Sequence, residues 1–322
     1  MKSFLRFLLR FGVSVGLIYV LLRFIPYHKV LSLLHSIDVV GLSLAVVMSS
    51  GTYILAVMRW QGLLRAQELV NYSFGETLLA LLCGLFFNLF FPSLIASDVF
   101  RSVALGHKER EYKKIVSTVI VDRFSGMVGM ASMVVVCYLI GIFFFPVKSF
   151  VFPVSIVALM AGVGMTVLFN KRFFSFAVSR LRPHSRLKQK LTELHEHLAV
   201  FMRSPWIFLT ALGYSLVIQS INAIVCFFLF RAVGADVSFI HVLVILPLAL
   251  AIGTIPVTIA GIGTREAAMV WFFGQVGVGR EYALAVSLLN LVFSVLVGVI
   301  GGLLYVAFYH RRLQSYKNAS KV

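Results

Sequence analysis

The chain has 322 residues, 60% apolar and 13% charged, against about 45–50% and about 25% in soluble domains. That balance excludes a water-soluble globular protein, and the longest polar stretch, about 170–205, is too short to build a core of its own. The net charge of +17 does not point to nucleic acid, because in so apolar a chain basic residues gather in cytoplasmic loops beside anionic lipid heads.

A membrane span needs about 20 mostly apolar residues. Lys2, Arg6 and Arg10 precede an apolar run with no small-residue cleavage site, which predicts a retained first helix over about 7–25. A second helix is predicted over about 39–58, ending at Arg59-Trp60 as an interfacial anchor. The apolar run 74–97 contains Asn88 and is interrupted at Pro92-Ser93, and 98–114 is then charged. Helices follow over about 115–145, with Asp122-Arg123 near its start, and over about 151–169. The basic segment 170–205 reads as an amphipathic surface helix, and a further helix spans about 206–230. A second interrupted run covers 239–275, and the last helix spans about 281–308. Gly12-x-x-x-Gly16 and Gly298-x-x-x-Gly302 predict close helix packing.

The second interruption reads Pro256-Val257-Thr258-Ile259-Ala260-Gly261-Ile262-Gly263-Thr264-Arg265-Glu266. Pro removes a backbone donor, Gly loosens the backbone, and charge is costly in lipid, so an unbroken membrane helix has no use for this set. The first interruption has the same Pro-to-Arg spacing, from Pro92 to Arg101, and the two prolines lie 164 residues apart, close to half the chain. Interrupted apolar segments at matching places in two halves are the sequence sign of a transporter-type site. The pseudo-repeats run over about 1–148 and 149–310, within a single membrane domain.

The distribution of Lys and Arg predicts orientation. If each interrupted run is a hairpin that returns to its own side, 22 of the 29 basic residues fall on the cytoplasmic side together with both termini. Arg23, Lys29, Lys148, Arg231, Arg265 and Arg280 fall opposite, and Arg123 lies within a helix. If both runs cross fully, the eight charges of 170–205 land outside. The hairpin arrangement makes the two halves inverted in topology. The predicted fold class is therefore an all-α polytopic membrane bundle of two inverted halves, each with a broken, re-entrant hairpin.

Three polar clusters fall in these apolar regions: Asp98 with Arg101, Asp122-Arg123, and Arg265-Glu266. Each needs a partner, water or a cavity. A broken helix exposes N–H groups and partial positive charge at the start of its second arm, which with a guanidinium makes a phosphate site. Thr264 is expected to cap the arm that begins with Arg265, and Ser97 the arm that begins with Asp98. Arg101, Arg265, Asp98, Glu266, Asn88, Ser93 and Thr264 are thus candidates for binding a lipid head. Asp122, Arg123, Pro92, Pro256, Gly261 and Gly263 are candidates for shaping and locking the breaks. Cys83, Cys137 and Cys226 lie in apolar runs as buried thiols. No catalytic triad, metal set or cofactor motif is assembled by the sequence, and none is expected.

The motifs Asn88…Pro92-Ser93…Asp98…Arg101, Asp122-Arg123 and Pro256…Gly261-Ile262-Gly263-Thr264-Arg265-Glu266 resemble those of the lysylphosphatidylglycerol synthase transmembrane-region family, also called the flippase-like domain family, over about residues 10–308. Ala96-Ser97 stand where two glycines are common in that family. The resemblance implies a multi-pass protein of the cytoplasmic membrane of a prokaryote. Relatives in which this domain is fused to a soluble aminoacyl transferase move aminoacylated phosphatidylglycerol between leaflets. Stand-alone members are tied by resemblance to lipid-linked sugars and other envelope lipids. The expected function is translocation of an anionic or glycosylated lipid, with membrane lipids as partners, and with self-association or an envelope-pathway partner also open. The alternatives are a membrane-embedded enzyme acting on a lipid phosphate or polyprenyl-linked sugar, using Asp98, Asp122 and Glu266, or an accessory protein of envelope assembly docking through 170–205.

Overall fold

The computed structural model describes residues 2–90, 95–109, 111–143, 151–170, 197–254 except 199 and 202, residue 258, and 261–309. Pro92, Ser93, Pro256 and most of the basic segment 170–205 lie outside the described residues. The described chain is all helix, with no strand among the described residues. The helices are α1 (Lys2–Phe24), α2 (Tyr27–His35), α3 (Val39–Ala66), α4 (Phe74–Phe90), α5 (Ile95–Glu109), α6 (Tyr112–Gly141), α7 (Val151–Phe169), α8 (Pro205–Ala232), α9 (Phe239–Gly253), α10 (Thr264–Gln275) and α11 (Arg280–Leu304), the last widening into a π turn over Tyr305–Tyr309.

Four of these, α3, α6, α8 and α11 with its π turn, are long and apolar enough to cross a membrane. At about 1.5 Å per residue, the 28 residues of α3 reach beyond the roughly 30 Å hydrocarbon layer. Apolar side chains surround these helices on all sides. Val40, Val47, Leu139, Leu296 and Leu303 point outward as exposed groups, as they do on a surface whose solvent is lipid.

The sequence places a helix end at Arg59-Trp60, and the structure corrects this. Helix α3 continues to Ala66, and Trp60 is 0% exposed, so it is no interfacial anchor. The reason is packing. Trp60, Leu63 and Leu64 recur at helical spacing and are buried, Trp60 and Leu64 against Leu105, Ile115 and Val119 of α5 and α6. The Trp60 indole N–H donates to Thr118 Oγ1 at 3.1 Å.

The packing of the helices repeats. The arms of the first hairpin, α4 and α5, pack on each other, α4 also against α11 and α5 against α6. The arms of the second, α9 and α10, do likewise, α9 against α6 and α10 against α11. Helix α2 packs on α11 as α7 packs on α6, and α3 packs on α8. Exchanging α2–α6 for α7–α11 maps these pairings onto one another. The α6–α8 contact is the main exception. Helices α3 and α8 run antiparallel: the Asp38 N–H ahead of α3 donates to Ala232 O at 3.0 Å, while Arg59 near the far end reaches Ser215 near the start of α8. Asp38 also caps α3, accepting from Val40 N and Gly41 N.

The two glycine pairs read from the sequence diverge. Gly298, Gly301 and Gly302 face α4, where a Cβ on Gly301 would run into the Leu82 carbonyl, whereas among the described residues nothing lies within 4 Å of a Cβ on Gly12 or Gly16. Gly301→Ala is therefore expected to lower stability by about 1–3 kcal/mol through overpacking. Gly16→Ala should leave it within about 0.5 kcal/mol. Thermal unfolding of the purified protein in one detergent compares the two.

Candidate functional site

Two polar centres lie within the bundle, one at each hairpin. The first is a chain of ions. Asp122 of α6, 3% exposed, accepts from Arg59 Nε of α3 at 2.8 Å and from Arg101 Nη1 of α5 at 3.0 Å. Asp98 accepts from Arg101 Nη2 at 2.9 Å and from Arg123 Nη1. The remaining arm of Arg59, Nη1, donates to Ser215 Oγ of α8 at 2.7 Å. The Arg101 guanidinium lies over the Trp60 ring, 4.7 Å from its centroid, a cation–π contact. Four helices are tied by this chain.

The local sequence explains the first hairpin. Asn88, in the last turn of α4, accepts from Ser97 N at 3.0 Å, so the side chain of one arm satisfies an open N–H of the next. Ser97 itself sits inside α5, which begins at Ile95, and is not the expected cap. Asp98 and Arg101 are one helical turn apart and face α6. Among the described residues this chain joins three guanidinium groups and two carboxylates. The Arg101 Nε is buried without a hydrogen-bond partner among the described residues.

The second centre is built on a tight turn. Gly261 has φ of +77° and Gly263 of +93°, a region other residues enter only with strain. A Cβ on Gly261 would lie 2.5 Å from Gly253 O, so α10 is brought back against the end of α9. Gly263, not Thr264, is the cap position of α10, because the chain needs the left-handed conformation there. Capping falls to Glu266, whose Oε2 accepts from Gly263 N at 2.6 Å. Glu266 Oε1 takes Arg265 Nε and Nη2 at 3.1 and 3.0 Å, with Ser287 Oγ of α11 at 3.4 Å. Thr264 Oγ1 donates to Gly261 O at 3.0 Å and meets Thr258 Oγ1 at 3.1 Å.

Arg265 also borders a polar chamber of about 170 Å³, lined among others by Tyr53, Asn222, Ser287, Asn290 and Ser294. Its neighbour Thr264 borders a separate groove of about 730 Å³, lined by Leu17, Phe24, Ile252, Ala268, Trp271 and Phe272 among others. The first turn of α10 thus has a polar chamber on one side and an apolar groove on the other. Among the described residues no three His, Cys, Asp or Glu side chains come together as a metal-binding set. Asp98, Asp122 and Glu266 are all engaged by guanidinium groups.

The structure therefore places Asn88, Asp98, Arg101, Asp122 and Arg123 together, and Gly261, Gly263, Thr264, Arg265 and Glu266 together, as two separate centres. Sequence reasoning missed Arg59, Trp60 and Ser215 at the first, and Tyr53, Asn222 and Asn290 at the second. Asn222 and Asn290 were open to view as amides within membrane-length apolar helices.

Removing Asp122 leaves Arg59 and Arg101 with one carboxylate between them and no escape to water. Asp122→Asn is expected to destabilise the protein by about 3–5 kcal/mol. Arg123→Ala, at the half-exposed end of the chain, should cost about 1 kcal/mol or less. Unfolding temperature and monodispersity in detergent separate the two.

A UPF0104 membrane protein of Pyrococcus horikoshii is 22% identical over 317 residues, covering 91% of this chain and 94% of that protein. A UPF0104 membrane protein of Methanocaldococcus jannaschii is 23% identical over 323 residues, covering 95% of each. The family model for the lysylphosphatidylglycerol synthase TM region matches residues 7–302, a stretch holding both centres, and the chain belongs to that family of membrane proteins.

Proposed function

We propose that the protein is a translocase of the cytoplasmic membrane that carries an anionic or glycosylated lipid between leaflets, without ATPase activity. The observation that carries this reading is the division at α10. Arg265 borders a polar chamber, and the residue before it borders an apolar groove. An amphiphile has the same division. Its phosphate suits a guanidinium beside the N-terminus of a helix, and its tails suit the groove and the surrounding lipid.

In this reading the two hairpins enter from opposite faces, and the halves are inverted repeats. The repeated pairing of helices and the antiparallel run of α3 and α8 support that arrangement. So does the distribution of basic residues. Arg59, Arg101 and Arg265 are packed among helices and leave the loop tally, without reversing its cytoplasmic bias. Both termini then lie in the cytoplasm. Arg265 receives the head. Arg101, held by Asp98 and Asp122 and 6% exposed, anchors the first hairpin and meets the head only if its ion chain opens. Glu266 pairs with Arg265 when the site is empty.

Leaflet-resolved movement of labelled lipid in proteoliposomes tests the proposal. Arg265→Ala is expected to slow movement by about tenfold or more, the scale of one lost charge-assisted hydrogen bond. Arg265→Gln, which keeps a donor for Glu266, should be slowed as well while losing less stability than Arg265→Ala. A rate unchanged in both variants removes Arg265 from the mechanism.

A further inference from the structure

The two centres occupy equivalent places in the two hairpins, yet they differ in chemistry. Arg101 and Arg265 are 164 residues apart, each on the second arm of its hairpin. Around Arg101 the helices supply Arg59, Asp122 and Arg123, and the space is closed by ion pairs. Around Arg265 the polar part of the lining is different: Tyr53 from α3, Asn222 from α8, and Ser287, Asn290 and Ser294 from α11, beside apolar groups such as Leu250 and Phe293. Every one of these polar side chains is a neutral hydrogen-bonding group.

Two groups of the chamber have capacity to spare, Asn290 and Arg265. Asn290 Nδ2 donates to Val286 O, which leaves its carbonyl oxygen for another donor. The ion pair of Arg265 with Glu266 uses Nε and Nη2, which leaves Nη1. On α8, Ser215, Gln219 and Asn222 recur at helical spacing and form one polar face. Gln219 Oε1 on that face, outside the chamber's lining, is buried and has no hydrogen-bond partner among the described residues.

Among the described residues the chamber offers a cation no free carboxylate, and the guanidinium of Arg265 repels it. Its one carboxylate neighbour, Glu266, is 1% exposed and its oxygens are taken by Gly263 N, Arg265 and Ser287. A chamber of about 170 Å³ is also smaller than the roughly 300–1,000 Å³ of pockets that engulf drug-sized ligands. It has room for a small head and not for a lipid's tails.

We propose that this chamber selects a phosphorylated head bearing neutral hydroxyl groups, such as a glycosyl, inositol or glycerol phosphate, and rejects a cationic aminoacylated head. Arg265 takes the phosphate first through Nη1 and then turns from Glu266 toward it. Tyr53, Asn222 and Asn290 take the hydroxyls. This rests on the translocase reading for the position of the head, and it adds the chemical class.

Native mass spectrometry of the full-length protein with matched-chain lipids tests it. The probes are phosphatidylinositol, phosphatidic acid, which has the phosphate alone, and lysylphosphatidylglycerol, whose head is cationic. Phosphatidylinositol should be retained about tenfold better than either of the others. Asn222→Ala, Asn290→Ala and the milder Tyr53→Phe should each lower its retention toward that of phosphatidic acid and leave phosphatidic acid unaffected. Equal retention of phosphatidylinositol and phosphatidic acid, both lost in Arg265→Gln, overturns hydroxyl selection and leaves the phosphate site standing. Retention of lysylphosphatidylglycerol equal to that of phosphatidylinositol overturns the rejection of cations. Displacement of phosphatidylinositol by equimolar soluble inositol 1-phosphate assigns the chamber to a soluble ligand and overturns a lipid head. If Arg265→Gln retains all three lipids as the wild type does, the translocase reading of this site fails with the proposal.

Discussion

A carboxylate held between two guanidinium groups, Asp122 between Arg59 and Arg101, is the interaction on which the bundle depends. Taking ions out of water costs several kcal/mol each, and the cost is recovered only where geometry is good and the remaining hydrogen-bonding capacity is met. Here it is largely met: both Asp122 oxygens are used, Arg59 has a second partner in Ser215, and Arg101 has Asp98 and the face of Trp60. The consequence is geometric. Helices that share lipid as solvent gain little from the hydrophobic effect by associating, so close packing and polar contacts must fix their register. The ion chain fixes α3, α5, α6 and α8 at once, and the second hairpin is mounted on what it fixes.

Much of the fold was legible because the signal was length and apolarity. The spans 151–169 and 206–230 fall within a residue or two of α7 and α8, and the two interruptions separate α4 from α5 and α9 from α10. The pairing of charges was harder to read. Asp122 meets Arg59 and Arg101 across 63 and 21 residues, and which arginine faces which aspartate depends on helix register that composition does not carry. Arg59-Trp60 was misread for the same reason. An Arg-Trp pair at the end of an apolar run is what an interface anchor looks like, and only the distant Asp122 makes burial tolerable. The caps failed more instructively. Threonine is the better capping side chain, but the turn at 263 requires positive φ, so glycine takes the position and Glu266 supplies the oxygen.

The centres share one helix. Helix α3 contributes Tyr53 to the chamber of the second hairpin and Arg59 to the ion chain of the first, about 9 Å apart along the helix at 1.5 Å per residue. Helix α8 does the converse, with Asn222 at the chamber and Ser215 at the ion chain. Any displacement of α3 along α8 must therefore be felt at both. A chain of buried ions resists such sliding, because each pair is lost within an ångström or two, whereas a chamber of neutral groups and spare space does not. The asymmetry makes the first hairpin the more heavily cross-linked of the two.

The turn of α10 has the division of labour that a responding element needs. Glu266 uses one oxygen for Gly263 N and the other for Arg265. The first contact holds the end of the helix together, and the second neutralises the arginine. In the proposed translocase, an anionic head that draws Arg265 away therefore need not uncap α10, and the carboxylate it leaves is still stabilised by the N–H of Gly263 and by the positive end of the helix. A single carboxylate with both contacts on one oxygen could not separate these tasks: releasing the arginine would loosen the turn. That Glu266 is adjacent to Arg265 and three residues past Gly263 is what lets the cation move while the backbone stays.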